Sequence, residues 1–205
     1  AHYGDLGYMK ISHVIYRDIH FLKNLQLNGY ISCQELRAGF PHNFPNYVMG
    51  QMLWNNTRDY EELKEEYFSM YGENWKEVIT YLENLSAYSS CDYFNAIGER
   101  LNPVLSARYE VCVNLAEEML PVIEANTAKR DGLQKQEWKQ LGYHREYVMK
   151  MAEALRLISA GKHTEAQRMW RDVLDFIRRN EMAFQQNLDV YRVIEVAKNY
   201  AGFKL

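Results

Sequence analysis

Residues 43–75 read N-F-P-N-Y-V-M-G-Q-M-L-W-N-N-T-R-D-Y-E-E-L-K-E-E-Y-F-S-M-Y-G-E-N-W. Pro45 suits the first turn of a helix, where its missing N–H costs nothing. That helix carries Tyr47, Val48, Met52 and Leu53 and stops at Asn55-Asn56. Asp59 and Glu62 have the spacing of a capping box, so Asp59 opens a second helix. Tyr71-Gly72 closes it, because Gly takes the left-handed turn that ends helices. Asn74 and Glu77 repeat the box spacing for a third helix.

Downstream the pattern stays helical. Trp75, Val78, Ile79, Leu82 and Leu85 make one face, and Asn102-Pro103 starts the next helix. Leu105, Tyr109, Cys112, Leu115, Ala116 and Met119 line that helix until Pro121, which predicts a kink or an interruption. Leu141, His144, Val148, Met151, Leu155 and Ile158 alternate spacings of three and four, a narrow packing seam. Residues 159–162 form a tight turn, and Thr164 with Gln167 recaps the chain. Trp170, Val173 or Leu174, Ile177, Phe184, Leu188 and Tyr191 line the last long helix or helices. The A-G-K-x-x-E-A turn resembles a tetratricopeptide hairpin, but one unit is no repeat array.

Upstream, residues 1–10 are interrupted by glycine and read as a loop. Ser12 caps a helix bearing Val14, Ile15, Ile19, Leu22 and Leu25, ended by Asn28-Gly29. Residues 30–34, Y-I-S-C-Q, read as a short strand, followed by Glu35 and a loop through Pro41 and Pro45. Helix, short strand, loop and helix make one α/β repeat. A lone strand cannot satisfy its own backbone, so either it needs a partner that this chain does not clearly supply, or it melts into irregular structure.

The motif P-N-Y-V-x(4)-L-W-N-x(3)-D, followed by E-E-Y-F-x-x-Y-G, resembles a segment of the bacterial domain of unknown function 4838 family. Members of that family resemble TIM-barrel glycoside hydrolases and share architecture with alpha-glucuronidases and hexosaminidases. The resemblance covers residues 1–90 well and the remainder only in style. It implies that residues 1–58 are a terminal α/β segment like the last repeat of a TIM barrel. Residues 59–205 then form an all-helical domain of bundled hairpins, mainly α overall. It also implies the C-terminal part of a protein that hydrolyses glycans, incomplete as a catalyst by itself. The partners implied are carbohydrate, bound through the full-length protein, and either the missing N-terminal barrel or a partner chain.

The composition of these 205 residues, 47% apolar and 25% charged, is that of an ordinary globular chain. A formal charge of −3 without a basic block argues against a nucleic-acid surface. No apolar run approaches the roughly 20 residues that span a membrane. Sixteen tyrosines, four tryptophans and eight phenylalanines suit sugar stacking, but also a core or an interface. Cys33, Cys91 and Cys112 lack C-x-x-C spacing and give no disulfide framework, so they read as free thiols. No metal-ligand or cofactor motif is present, nor a G-x-S-x-G, P-loop, dinucleotide or H-E-x-x-H signature. The compartment is not written in the chain.

Glu35 is the catalytic candidate. It comes just after the C-terminal end of the expected strand, the face on which TIM barrels build active sites. Glycosidases need two carboxylates, one to protonate the leaving oxygen and one to attack or activate water. A solvated loop carboxylate explains Glu35 equally. His42 and Asn46 are candidates for sugar hydroxyls, or simply turn residues beside proline. Trp54 offers a stacking platform and Asn55 a polar handle, or a core anchor and a helix end. His144 on the seam reads as a hydrogen-bonded core histidine. Glu61, Glu62, Glu65 and Glu66 read as a solvated helix face. The competing reading is a non-catalytic helical module that binds protein.

Overall fold

The computed structural model describes residues 2–27, 30–32, 37, 39–199 and 201–203. They are mainly helical: α1 (Met9–Phe21), α2 (Phe44–Trp54), α3 (Tyr60–Phe68), α4 (Trp75–Tyr88), α5 (Cys91–Phe94), α6 (Pro103–Lys129), α7 (Gly132–Ser159), α8 (His163–Arg179), α9 (Glu181–Phe184) and α10 (Val190–Asn199). No helix among the described residues is long and apolar enough to cross a membrane.

The framework is the pair α6 and α7, joined by two residues and therefore antiparallel neighbours. Tyr109, Cys112, Ala116, Met119, Ile123 and Asn126 are the buried stripe of α6. The whole seam expected on α7, from Leu141 to Ile158, is buried. Asn102 caps α6 by accepting the Leu105 N–H at 3.0 Å. The turn from α7 to α8 carries paired bonds, Lys162 N to Leu157 O at 2.9 Å and Gly161 N to Ile158 O at 3.1 Å. Gly161, at φ 77°, supplies the left-handed residue that this motif requires. α8 packs on α7, α4 on α6, and α1 on α2 and α4. One hydrophobic cluster runs through these contacts from Tyr3 to Phe203, taking in both sides of residue 58.

The α/β segment is a correction. No strand is found among the described residues, and Tyr30, Ile31 and Ser32 lie outside regular structure. Cys33 and Gln34, the other residues of the expected strand, lie outside the described residues. In place of a barrel repeat, residues 2–8 fold into a buried knot. Asp5 accepts the N–H groups of Gly7, Tyr8, Lys10 and Ile11 with its two carboxylate oxygens. It therefore caps α1, the role expected of Ser12. Ser12 sits inside α1, with its hydroxyl on Met9 O at 2.7 Å and paired with the Tyr60 hydroxyl at 2.8 Å.

Other boundaries also move. α1 ends at Phe21 and continues as a 3-10 turn over Leu22–Leu25. Asn28 and Gly29, the expected stop, lie outside the described residues. α3 ends at Phe68, and Gly72 takes its left-handed φ of 72° within the 3-10 turn beyond it. Asp59 caps α3 through the N–H groups of Glu61 and Glu62, at 2.8 and 3.2 Å. Asn74 instead spends its amide on the Glu77 carboxylate at 3.0 Å and leaves the α4 backbone uncapped by its side chain. α6 runs unbroken through Pro121. Pro121 and Glu117, whose carbonyl loses its partner, are both exposed, so water can serve that carbonyl. α8 starts at His163 without a side-chain cap, so Thr164 lies inside its first turn. Tyr191 is exposed rather than packed.

Candidate functional site

Among the described candidates, His42 and Asn46 lie apart from Trp54 and Asn55. In α2, Phe44, Val48 and Met52 recur every four residues and face the core. Trp54 comes two residues after Met52, about 200° around the helix, and so points away. Trp54 is 91% exposed, so it is no core anchor in this chain.

Trp54 borders a groove of about 430 Å³. One wall is Ile19, Leu22 and Lys23 at the end of α1, and the other is Met52, Leu53 and Trp54. Leu27, Tyr30 and Asn56 complete the lining. Among the described lining residues none is a carboxylate; the polar groups are Lys23, Asn56 and the Tyr30 hydroxyl.

The link after α2 is fastened to its surroundings. Asn55 ends the helix with its N–H on Gln51 O at 2.8 Å. Its side-chain oxygen accepts the Thr57 N–H and hydroxyl, at 3.1 and 2.7 Å, so it serves the turn. The His20 Nδ1 donates to Asn56 O at 3.0 Å, and the Tyr16 hydroxyl donates to Arg58 O at 3.1 Å. Arg58 joins Gln51 and Glu66. These contacts hold α2 against α1 and fix the groove walls.

His42 is elsewhere. It is buried beside Phe68, its ring edge-on at 4.8 Å. Burial and the neighbouring His144 hold its pKa down to about 3, so it is neutral at pH 7. Its ring is closed off from bulk water in this structure. Asn46 is half-buried near the start of α2, a helix length from Trp54. Glu35 lies outside the described residues. His144 is a core residue, its Nε2 donating to Leu6 O at 2.8 Å. The four clustered glutamates of α3 are exposed, with Lys64 between Glu61 and Glu83 at 2.8 and 2.6 Å. Cys91 and Cys112 are free thiols, pushed up by burial to about 11 and about 12, which makes them poor nucleophiles. No group of three or more metal-binding side chains occurs among the described residues.

Sequence reasoning missed Ile19, Leu22, Lys23 and Leu27 as site residues. Part of their signal was the apolar pattern of α1, which continues past the helix end as Leu22, Leu25 and Leu27; nothing in the pattern marks Lys23. No family model, no curated protein and no solved structure matches this chain.

Proposed function

We propose that this chain is the helical C-terminal part of a glycoside-hydrolase-like protein acting on glycans, not catalytic as an isolated chain. It meets the rest of that protein through the Trp54 groove. The supporting observation is an exposed tryptophan over a groove of mixed polar and aliphatic lining, whose described residues include no carboxylate. Most glycosidases set two carboxylates across the scissile bond, and the described lining of this groove offers side chains for contact. An aromatic side chain of this size puts about 200 Å² under a partner. The catalytic role of Glu35 belongs to this same reading and to the longer protein.

The aliphatic lining by Leu22, Leu27 and Leu53 supports a second reading, a helical module that docks an unrelated protein. Both are tested by expressing this chain beside the longer product of its gene and assaying each on a panel of aryl glycosides and polysaccharides. Acrylamide quenching of each, compared with its Trp54→Phe variant, reports the exposure of Trp54. The glycosidase reading expects hydrolysis by the longer form alone, with Trp54 shielded there and quenched in the chain alone. A longer product without hydrolytic activity, or with Trp54 still open to quencher, overturns it in favour of the docking module.

A further inference from the structure

The loop ahead of α2 is held by a side chain that can change from acceptor to donor. The His42 Nδ1, from the position before the N-cap Asn43, accepts the backbone N–H of Phe44, the first residue of α2, at 3.2 Å, an i to i+2 bond like that of an Asx turn. Accepting at Nδ1 puts the ring proton on Nε2, which is buried without a hydrogen-bond partner among the described residues. His144 on α7 has the opposite tautomer. Its Nε2 donates to Leu6 O, and its Nδ1 is the buried, unpartnered atom. Phe40, fully buried, lies edge-on to His144 at 5.4 Å, so one short loop is wedged against both α3 and α7. Two further bonds hold it: Asn187 donates to Pro41 O at 2.8 Å, and Asn43 N donates to the Tyr67 hydroxyl at 3.0 Å.

A proton arriving at His42 must take Nδ1. It cancels the bond to the Phe44 N–H, places a cation at the positive end of α2, and leaves charge in an apolar pocket. The titratable groups around the ring are Tyr67 from α3 and His144 from α7. Burial and His144 both oppose the charge, and no carboxylate offsets them among the influences acting on His42.

We propose that His42 is the latch of an acid-sensitive switch, whose protonation frees residues 39–44 and the first N–H of α2, the helix that ends at Trp54. The closed loop refuses the proton, and the open loop accepts it with an ordinary histidine affinity. Opening therefore becomes about tenfold more favourable for each pH unit below about 6.5. This inference is independent of the glycosidase reading.

Hydrogen exchange on the whole chain tests it, over the pH range where the Phe44 amide exchanges faster than the α7 core. The expected result is an opening equilibrium at Phe44, corrected for intrinsic exchange, that rises about 50-fold from pH 6.5 to pH 4.5. In His42→Asn the side-chain oxygen still accepts the Phe44 N–H but cannot titrate, and the rise disappears. Nitrogen-15 spectra of the unmodified protein expect the Nε2–H tautomer of His42 at pH 7.5, whether or not the variant folds. The Nδ1–H tautomer, an unchanged rise in His42→Asn, a flat profile in the unaltered chain, or Phe44 opening only together with α7 overturns the proposal.

Discussion

The Ser86 hydroxyl of α4 donates to the buried carboxylate of Asp5 and accepts the Met9 N–H at 2.9 Å. One hydroxyl thus ties the cap of α1 to the last turn of α4. Ser89 repeats the tie by accepting the Leu6 N–H at 3.1 Å. Ser86→Ala leaves a buried carboxylate short of a donor and a buried N–H short of an acceptor. The expected loss is about 2–4 kcal/mol in urea unfolding, about twice the usual cost of one unsatisfied group.

Gly7 lies against the backbone of α4, where an added Cβ would meet Leu82 O at 1.9 Å. Backbone cannot swing aside, so Gly7→Ala should cost about 3 kcal/mol, at the upper end for overpacking. Gly50, within α2, has nothing within 4 Å of an added Cβ. Gly50→Ala should therefore stabilise by about 1 kcal/mol through helix propensity. Thermal unfolding of both variants should move in opposite directions.

His144 is fully buried, and desolvation lowers its pKa to about 4 against the ordinary 6.5. The unfolded chain therefore binds this proton more readily than the folded one. The stability contributed by neutral His144 is complete above about pH 6.5 and is lost as pH falls towards about 4, at roughly 1.4 kcal/mol per unit. Asp5 acts in the opposite sense: burial raises its pKa, so the folded chain binds that proton more readily. His144→Gln can still donate to Leu6 O, and should flatten the unfolding free energy between pH 6.5 and 4.5 by about one proton.

Trp54 and Trp138 separate surface from core. Trp138 is fully buried and packs edge-on to Tyr71 at 5.2 Å. Trp138→Ala should cost about 3–5 kcal/mol. Trp54→Ala should change the stability of the chain by no more than about 0.5 kcal/mol, as at other exposed positions. Denaturant titration of the pair checks whether Trp54 has any structural role in this chain.

Much of the helical frame was legible because its signals are local. Asp59, Asn102 and Pro103 mark helix starts through their own side chains. The seam from Leu141 to Ile158 repeats at a period that only a helix presents on one face. The Trp54 groove was half legible: its tryptophan was singled out, and the walls from α1 were not. Pro121 does not interrupt α6, because its cost depends on whether a freed carbonyl can reach water, which depends on the orientation of α6 against α7.

The sequence by itself determined the helical class, the major helix starts and the seam of the α6–α7 pair, since these arise from periodicity and capping within a few residues. Only the tertiary structure decided that residues 2–8 are a buried knot rather than a loop. Asp5 and Gly7 have meaning only against Ser86 and Leu82, about eighty residues away. It also turned His42 inward and Trp54 outward, because exposure is set by what packs on a helix, and no local pattern contains that partner.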